Sequence, residues 1–131
     1  MEVGQQINFI TIHKKASSLY TLVADGVSRY TSVSRDTWKT LLISQGSLQR
    51  NCNQEGFNAL SGVGSNWNMD WPKVRIGILA NSNNDCITCD SRIGFGGRGM
   101  HDDTNTREND ASFGSDNGER PIKAMDYILV Q

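Results

Sequence analysis

An oxygen-rich segment late in the chain carries the residue types best suited to binding a cation. Residues 81–120 hold eight of the fourteen acidic residues of this 131-residue chain, together with six asparagines. Carboxylates and amide carbonyls are the hard oxygen ligands that Ca²⁺ prefers. Because like charges held close together repel one another, so dense a cluster requires a positive partner. A bound cation is the simplest partner, and the segment therefore predicts a calcium site.

The densest part of this segment lies between residues 101 and 110. It contains His101, Asp102, Asp103, Asn105, Glu108, Asn109 and Asp110. A solvated acidic loop without metal is the alternative interpretation of this run. Two neighbouring groups are less specific: residues 81–85 alternate like an EF-hand loop but lack its glycine, and residues 116–118 are typical of a hairpin turn.

Three cysteines leave one thiol over after any single internal bridge. They are Cys52, Cys86 and Cys89. We expect one of the last two to pair with Cys52, and the other to bridge two chains or to remain free. The CxxC spacing of Cys86 and Cys89 leaves two further alternatives open, a redox pair and half of a zinc site. The Asn/Gly/Thr-rich composition favours an oxidising compartment.

The bulk composition excludes several classes of function. The net charge is −1 and the pI is about 6.1, so no basic field attracts nucleic acid or an anionic membrane. No apolar run has membrane-spanning length, and no segment resembles a signal peptide, so a secreted protein would be present here in its mature form. Gly94–Gly99 matches GxGxxG, but acidic residues follow it where a nucleotide site needs a helix. No nucleophile elbow or HExxH motif is present, and we expect a binding module rather than an enzyme.

The pattern of apolar residues predicts a single domain over residues 1–131 that is mainly β, with an α+β arrangement as the alternative. In this fold, short strands surround the long calcium-organised loop region. Strands are expected at residues 7–12, 19–24, 27–33, 74–80, 93–95 and 121–130. The strands at 19–24 and 27–33 would form a hairpin through Asp25-Gly26. A short helix is expected to begin at Ser34 or Asp36, to continue through Leu42 and to stop at Gly46, with a strand as the alternative. For residues 121–130 a helix is the alternative to the strand.

The second part of the chain contains four distinctive motifs: CNQEGFN, VRIGILANSNNDCITCDSRIGFGG, HDDTNTREND and SDNGERPIKAMDYILVQ. Together they resemble the calcium-dependent, galactose-binding lectins of sea anemones, which are small secreted cnidarian proteins. The resemblance covers about the last 80 residues and none of the first 50. The same segment is similar, more weakly, to the C-terminal part of intelectins, the X-type lectins. There a glycine-rich turn is followed by spaced acidic calcium ligands and a closing apolar strand.

The resemblance to intelectins implies a set of site residues. It implies calcium ligands just before the glycine turn, just after it, and about eight residues further on. On this chain they fall on Asp90 or Ser91, on Asp102 or Asp103, and on Asn109 or Asp110. From these positions we take Asp90, Asp102, Asp103, Asn109 and Asp110 as the expected metal ligands. The calcium would also bind two vicinal hydroxyls of the sugar, with His101, Glu108 and Phe113 around it alongside Asp102 and Asp110. We therefore expect a secreted, Ca²⁺-dependent lectin for galactose-containing glycans, acting as a homodimer that a disulfide could link. The alternatives are an extracellular structural module whose calcium only rigidifies the loop, and a thiol or zinc protein that uses the CxxC cysteines.

Overall fold

An antiparallel five-stranded sheet forms the centre of the fold. The computed structural model describes residues 2–3, 6–42, 48–61, 72–87, 89, 91–97, 106–107 and 127–131. The sheet contains β3 (Arg29–Tyr30), β4 (Asn51–Leu60), β5 (Lys73–Asn81), β6 (Ser91–Phe95) and β7 (Thr106–Arg107), hydrogen-bonded in that order. A two-stranded ribbon of β1 (Glu2–Val3) and β2 (Gln6–Ile7) lies outside it. The mainly β class expected from the sequence is confirmed.

The long strands β4 and β5 form the middle of this sheet. Residues of β5 are buried almost throughout, as the apolar run at 74–80 predicts for a central strand. β6 lies on its other side with Gly77 opposite Gly94. A Cβ on Gly77 would lie 2.8 Å from the Gly94 Cα, so the two backbones approach closely because neither residue has a side chain.

Residues 19–24 are a helix and not the predicted strand. The helix α1 (Leu19–Val23) begins after Ser18, whose hydroxyl accepts a hydrogen bond from the Thr21 amide. At its other end the Asn58 side-chain amide donates to the Leu22 and Val23 carbonyls at 3.3 and 3.2 Å. These bonds satisfy carbonyls that a helix end leaves open. The partner lies 36 positions away in sequence, which is why the local β-branched pattern is misleading.

The predicted 19–33 hairpin is therefore wrong as well. Asp25-Gly26 does form a turn, with Gly26 at φ 72°, but the strand that follows is only Arg29–Tyr30. It pairs with Phe57 and Gly56 of β4. The bidentate ion pair between Arg29 and Asp25 braces the turn at 2.7 and 2.8 Å.

The second helix is confirmed. α2 (Arg35–Thr40) begins after Ser34, whose hydroxyl accepts from the Thr37 amide, as expected of an N-cap. Trp38, Leu41 and Leu42 are buried against the sheet. Gly46, the expected stop, lies outside the described residues.

Both terminal segments differ from expectation. The predicted buried strand at 7–12 is wrong: only Gln6–Ile7 is strand, and the side chains of Ile7 and Phe9 are 71% and 84% exposed. Of the predicted terminal strand, residues 121–126 lie outside the described residues and residues 127–130 are not strand. Ile10, Ile12 and Ile128 nevertheless pack against the main core, so both segments lie against the body of the domain.

That core lies between the two helices and one face of the sheet. Its buried members include Leu22, Trp38, Leu42, Phe57, Ile76, Ile78 and Ile93. Cross-strand register brings Phe57, Ile76 and Phe95 into one row and Ile78 and Ile93 into another. A smaller apolar cluster contains Ala59, Val74, Leu79 and Cys89.

Candidate functional site

The turn between β5 and β6 uses its polar oxygens to hold its own backbone. The Asn81 side-chain oxygen accepts from the Ser82 amide at 2.6 Å, Asn83 from the Asp85 amide at 2.7 Å, and Asp85 from the Ile87 amide at 2.8 Å. The contacts made by Asn83 and Asp85 are Asx turns, a local alternative to sheet hydrogen bonding. The EF-hand-like alternation at 81–85 therefore serves turn geometry.

A disulfide joins this turn to the start of β4. Cys52 pairs with Cys86 across 34 positions of sequence, with the two Cα atoms 5.1 Å apart. Asn51 reinforces the junction by donating to the Ser82 carbonyl at 2.7 Å. The bridge confirms the expected pairing of Cys52 with one CxxC cysteine, and it is compatible with an oxidising compartment.

The third cysteine is free and buried. Cys89 is 1% exposed, within the smaller apolar cluster, and its Sγ lies 3.9 Å from the Cys86 carbonyl. With Cys86 bound to Cys52, a Cys86–Cys89 redox pair or paired zinc ligand is not formed. Of the alternatives left open by the sequence, the structure supports a free thiol, because an intermolecular disulfide needs an accessible sulfur.

The strand pair β6–β7 links the segments in which the predicted calcium ligands occur. Arg92 lies opposite Arg107, and Ile93 opposite Thr106. Arg92 is 3% exposed, so β6 carries a buried positive charge. A buried guanidinium requires hydrogen-bond acceptors.

The predicted metal and sugar ligands lie outside the described residues. These are Asp90, His101, Asp102, Asp103, Glu108, Asn109, Asp110 and Phe113. Within the parts of the chain that are described, no group of three or more His, Cys, Asp or Glu side chains could hold a metal ion. The calcium and sugar sites stay predictions.

A second candidate site is an apolar cavity of about 460 Å³ that the sequence did not reveal. Its inner wall is formed by residues of both helices and of the sheet, including Leu19, Leu22, Trp38, Leu41, Phe57 and Ile76. Residues of both terminal segments also line it, among them Ile12 and Ile128. The exposed Phe9 and Leu129 could have indicated it, but single exposed apolar residues are common on protein surfaces.

One cationic side chain lies at this cavity. Among the described residues that line it, Lys14 alone carries a charged side chain, and Ser17 and Ser18 add hydroxyls nearby. Lys14 Nζ lies 3.5 Å from the Tyr30 carbonyl, the upper limit for a hydrogen bond. No ion pair of Lys14 occurs among the described side chains. The cavity thus combines apolar core side chains in its wall with a positive charge that has no ion pair among the described side chains.

A hydrogen-bonded cluster fixes the end of α1 relative to the sheet. Arg75 Nη1 donates to the Asn58 side-chain oxygen at 2.8 Å and to the Val23 carbonyl at 2.9 Å. Burial lowers the pKa of Arg75 from its usual value, since desolvation disfavours the charged form. The cluster positions Leu22 and Val23 rather than offering a reactive group.

The chain matches no protein-family model, no curated protein and no solved structure. In the part of the chain that the structure describes, neither helix is long and apolar enough to cross a membrane.

Proposed function

We propose that this protein is a secreted, calcium-dependent lectin that binds terminal galactose-type sugars through vicinal hydroxyls on a bound Ca²⁺. The main support is the density of oxygen ligands at residues 101–110, in a segment that resembles sea-anemone lectins. A sugar diol is a neutral bidentate oxygen ligand, which suits the flexible coordination sphere of calcium.

The register of β6 and β7 gives this proposal a geometric basis. Ser91, at the start of β6, and Arg107, at the end of β7, lie at the same end of the antiparallel pair. Asp90 directly precedes Ser91 in sequence, and Asn109 and Asp110 closely follow Arg107. Chain connectivity therefore limits the distance between these three proposed ligands, although they are about twenty positions apart.

Asp102 and Asp103 belong to the connection between the other ends of the two strands. From Ser91 to Phe95, β6 advances by about 13 Å at about 3.3 Å per residue. For Asp102 or Asp103 to share a calcium with Asp90, the connection must cover this distance, and the ten residues 96–105 have a contour length of about 33 Å. We assign Asp90, Asn109 and Asp110 to one half of the metal shell, and Asp102 and Asp103 to the other.

Retention on lactose-agarose, with and without EDTA, tests the function. The wild-type protein should bind in millimolar Ca²⁺ and elute with EDTA or free galactose. Asp110→Asn and Asp102→Asn should each abolish retention if both halves hold the same ion. Asp85→Asn is the matched control, because its carboxylate already accepts from the Ile87 amide within a turn. Retention that persists in EDTA excludes the calcium-bridged mechanism.

A calcium titration followed by thermal unfolding separates this function from the alternative of a structural extracellular module. At free Ca²⁺ one hundred times its Kd, a folded-state site adds about 2.7 kcal/mol of stability. A gain in stability without retention of any glycan would support a structural calcium and exclude the lectin. No calcium effect on either measurement would instead favour a metal-free loop whose acids pair with arginines.

A further inference from the structure

The apolar cavity between the terminal segments and the sheet has the features of a ligand site separate from the proposed sugar site. We propose that it binds a free fatty acid, with the hydrocarbon chain inside and the carboxylate at Lys14. Nothing in this inference depends on calcium or on residues 98–126.

The size of the cavity sets the size of the ligand. An apolar cavity of about 150 Å³ is enough to admit benzene. The cavity of about 460 Å³ has about three times that volume. Scaled from the six heavy atoms of benzene, it has room for about 18 heavy atoms. It also falls in the range typical of small-molecule sites, about 300–1,000 Å³. A saturated fatty acid with about 14 heavy atoms, dodecanoic acid, therefore fits.

The chemistry of the walls selects an apolar body. Trp38, Phe57 and Ile76 at the inner wall are 2%, 5% and 8% exposed, and belong to the main core. Beside these three side chains, a sugar or a peptide would lose its hydrogen bonds to water without replacement. A hydrocarbon chain loses none, and gains from every apolar contact.

The charge at the opening selects an anionic head group. Lys14 is the cation that lines the cavity, and the exposed His13 and Lys15 flank it in sequence. Ser17 also lines the cavity and carries a hydroxyl that can donate to a carboxylate. A fatty acid combines an apolar body and an anionic head group in one molecule, whereas a neutral alcohol of the same length has only the apolar body.

Displacement of a fluorescent fatty-acid probe by dodecanoate tests the proposal on the full chain. Dodecanoate should displace the probe with a one-to-one stoichiometry and equally in Ca²⁺ or EDTA. Lys14→Gln should weaken the binding of dodecanoate by up to about fivefold, the upper end of the range for an exposed ion pair, and leave the binding of dodecanol unchanged. Lys15→Gln is the matched control, since this neighbouring lysine does not line the cavity.

Ala16→Trp provides a steric test that leaves the core untouched. Ala16 lines the cavity but is exposed, so a larger side chain can block the opening without disturbing buried residues. Both dodecanoate and dodecanol should lose at least tenfold in affinity. The proposal is overturned if dodecanoate fails to bind, or if Lys15→Gln weakens it as much as Lys14→Gln.

Two further outcomes would also overturn it. Concentration-dependent dimers in sedimentation that Ala16→Trp dissociates would show that a second copy covers the cavity. Binding to neutral phospholipid vesicles, lost in Ala16→Trp without binding of free dodecanoate, would identify a membrane surface as the partner. Loss of galactose retention leaves this proposal intact, because the two sites share no assigned residue.

Discussion

The Trp38 indole donates a hydrogen bond to Glu55 Oε2 inside the domain, and thereby ties α2 to the central strand β4. The Trp38 and Glu55 side chains are both buried. The other carboxylate oxygen accepts from the Ser34 backbone amide at 3.2 Å, just before α2 begins. One buried carboxylate thus holds both the start of this helix and its main apolar side chain.

Removing the indole donor should destabilise the protein without unfolding it. Trp38→Phe leaves Glu55 Oε2 buried without this partner, and a buried group that loses its hydrogen bond costs about 1–3 kcal/mol. The loss of ring volume adds to that cost. Urea unfolding should therefore show a lower midpoint. Tyr20→Phe, at a side chain 76% exposed, is the control and should stay within about 0.5 kcal/mol of wild type.

The disulfide should account for a large share of the free energy of unfolding. Opening a bridge across 34 positions of sequence costs about 3–4 kcal/mol in the chain-entropy description. The double variant Cys52→Ser/Cys86→Ser should lower the unfolding midpoint accordingly, as should reduction of the wild type. An unchanged midpoint would mean that the turn at 81–87 is held by its Asx bonds alone.

The Cys89 thiol should be unreactive in the folded protein. Because it is 1% exposed, a thiol reagent should label less than one equivalent under native conditions and one equivalent after unfolding without reductant. Rapid native labelling, or a dimer in non-reducing gels, would contradict the buried free thiol. Cys89→Ala should abolish labelling in both conditions.

Gly94 should not tolerate a side chain. Its φ is +154°, and a Cβ would lie 2.6 Å from the Gly77 Cα on the neighbouring strand. Gly94→Ala should therefore separate β5 from β6 and lower stability by more than about 2 kcal/mol. Circular dichroism during thermal unfolding measures this. Gly26→Asn is a suitable control, because asparagine accepts the left-handed conformation of that turn, at φ 72°.

Acid should weaken the turn that Asp25 and Arg29 brace. Hydrogen bonding from Arg29 holds the pKa of Asp25 well below its usual value. A depressed folded-state pKa gives stability that is fully present above the unfolded value, about pH 3.9, and is lost as the pH falls toward the lowered pKa. Wild type should thus lose more stability than Asp25→Asn between pH 5 and pH 2. Equal pH dependence of the two proteins would contradict this contribution.

The sequence by itself determined the elements whose signals are local and strong. The apolar run of β5 and the turn at Asp25-Gly26 each depend on residues within one element. The start of α2 was limited in the same way to Ser34 or Asp36, and the structure has Ser34 as the N-cap. The cysteine count likewise predicted one bridge and one thiol left over, since pairing arithmetic needs no coordinates.

The tertiary structure decided what depends on distant partners. The local pattern of residues 19–23 predicts a strand. In the structure they form a helix, and the Asn58 side chain donates hydrogen bonds to the carbonyls at its end. Residues 7–12 have the apolar content of a buried strand, yet among them only Ile7 finds a strand partner. The choice of Cys86 over Cys89 as the disulfide partner likewise depends on which sulfur the turn brings close to Cys52. The cavity exists only because both terminal segments pack beside the same face of the sheet. Such outcomes follow from long-range packing, which overrides local preference when the two compete.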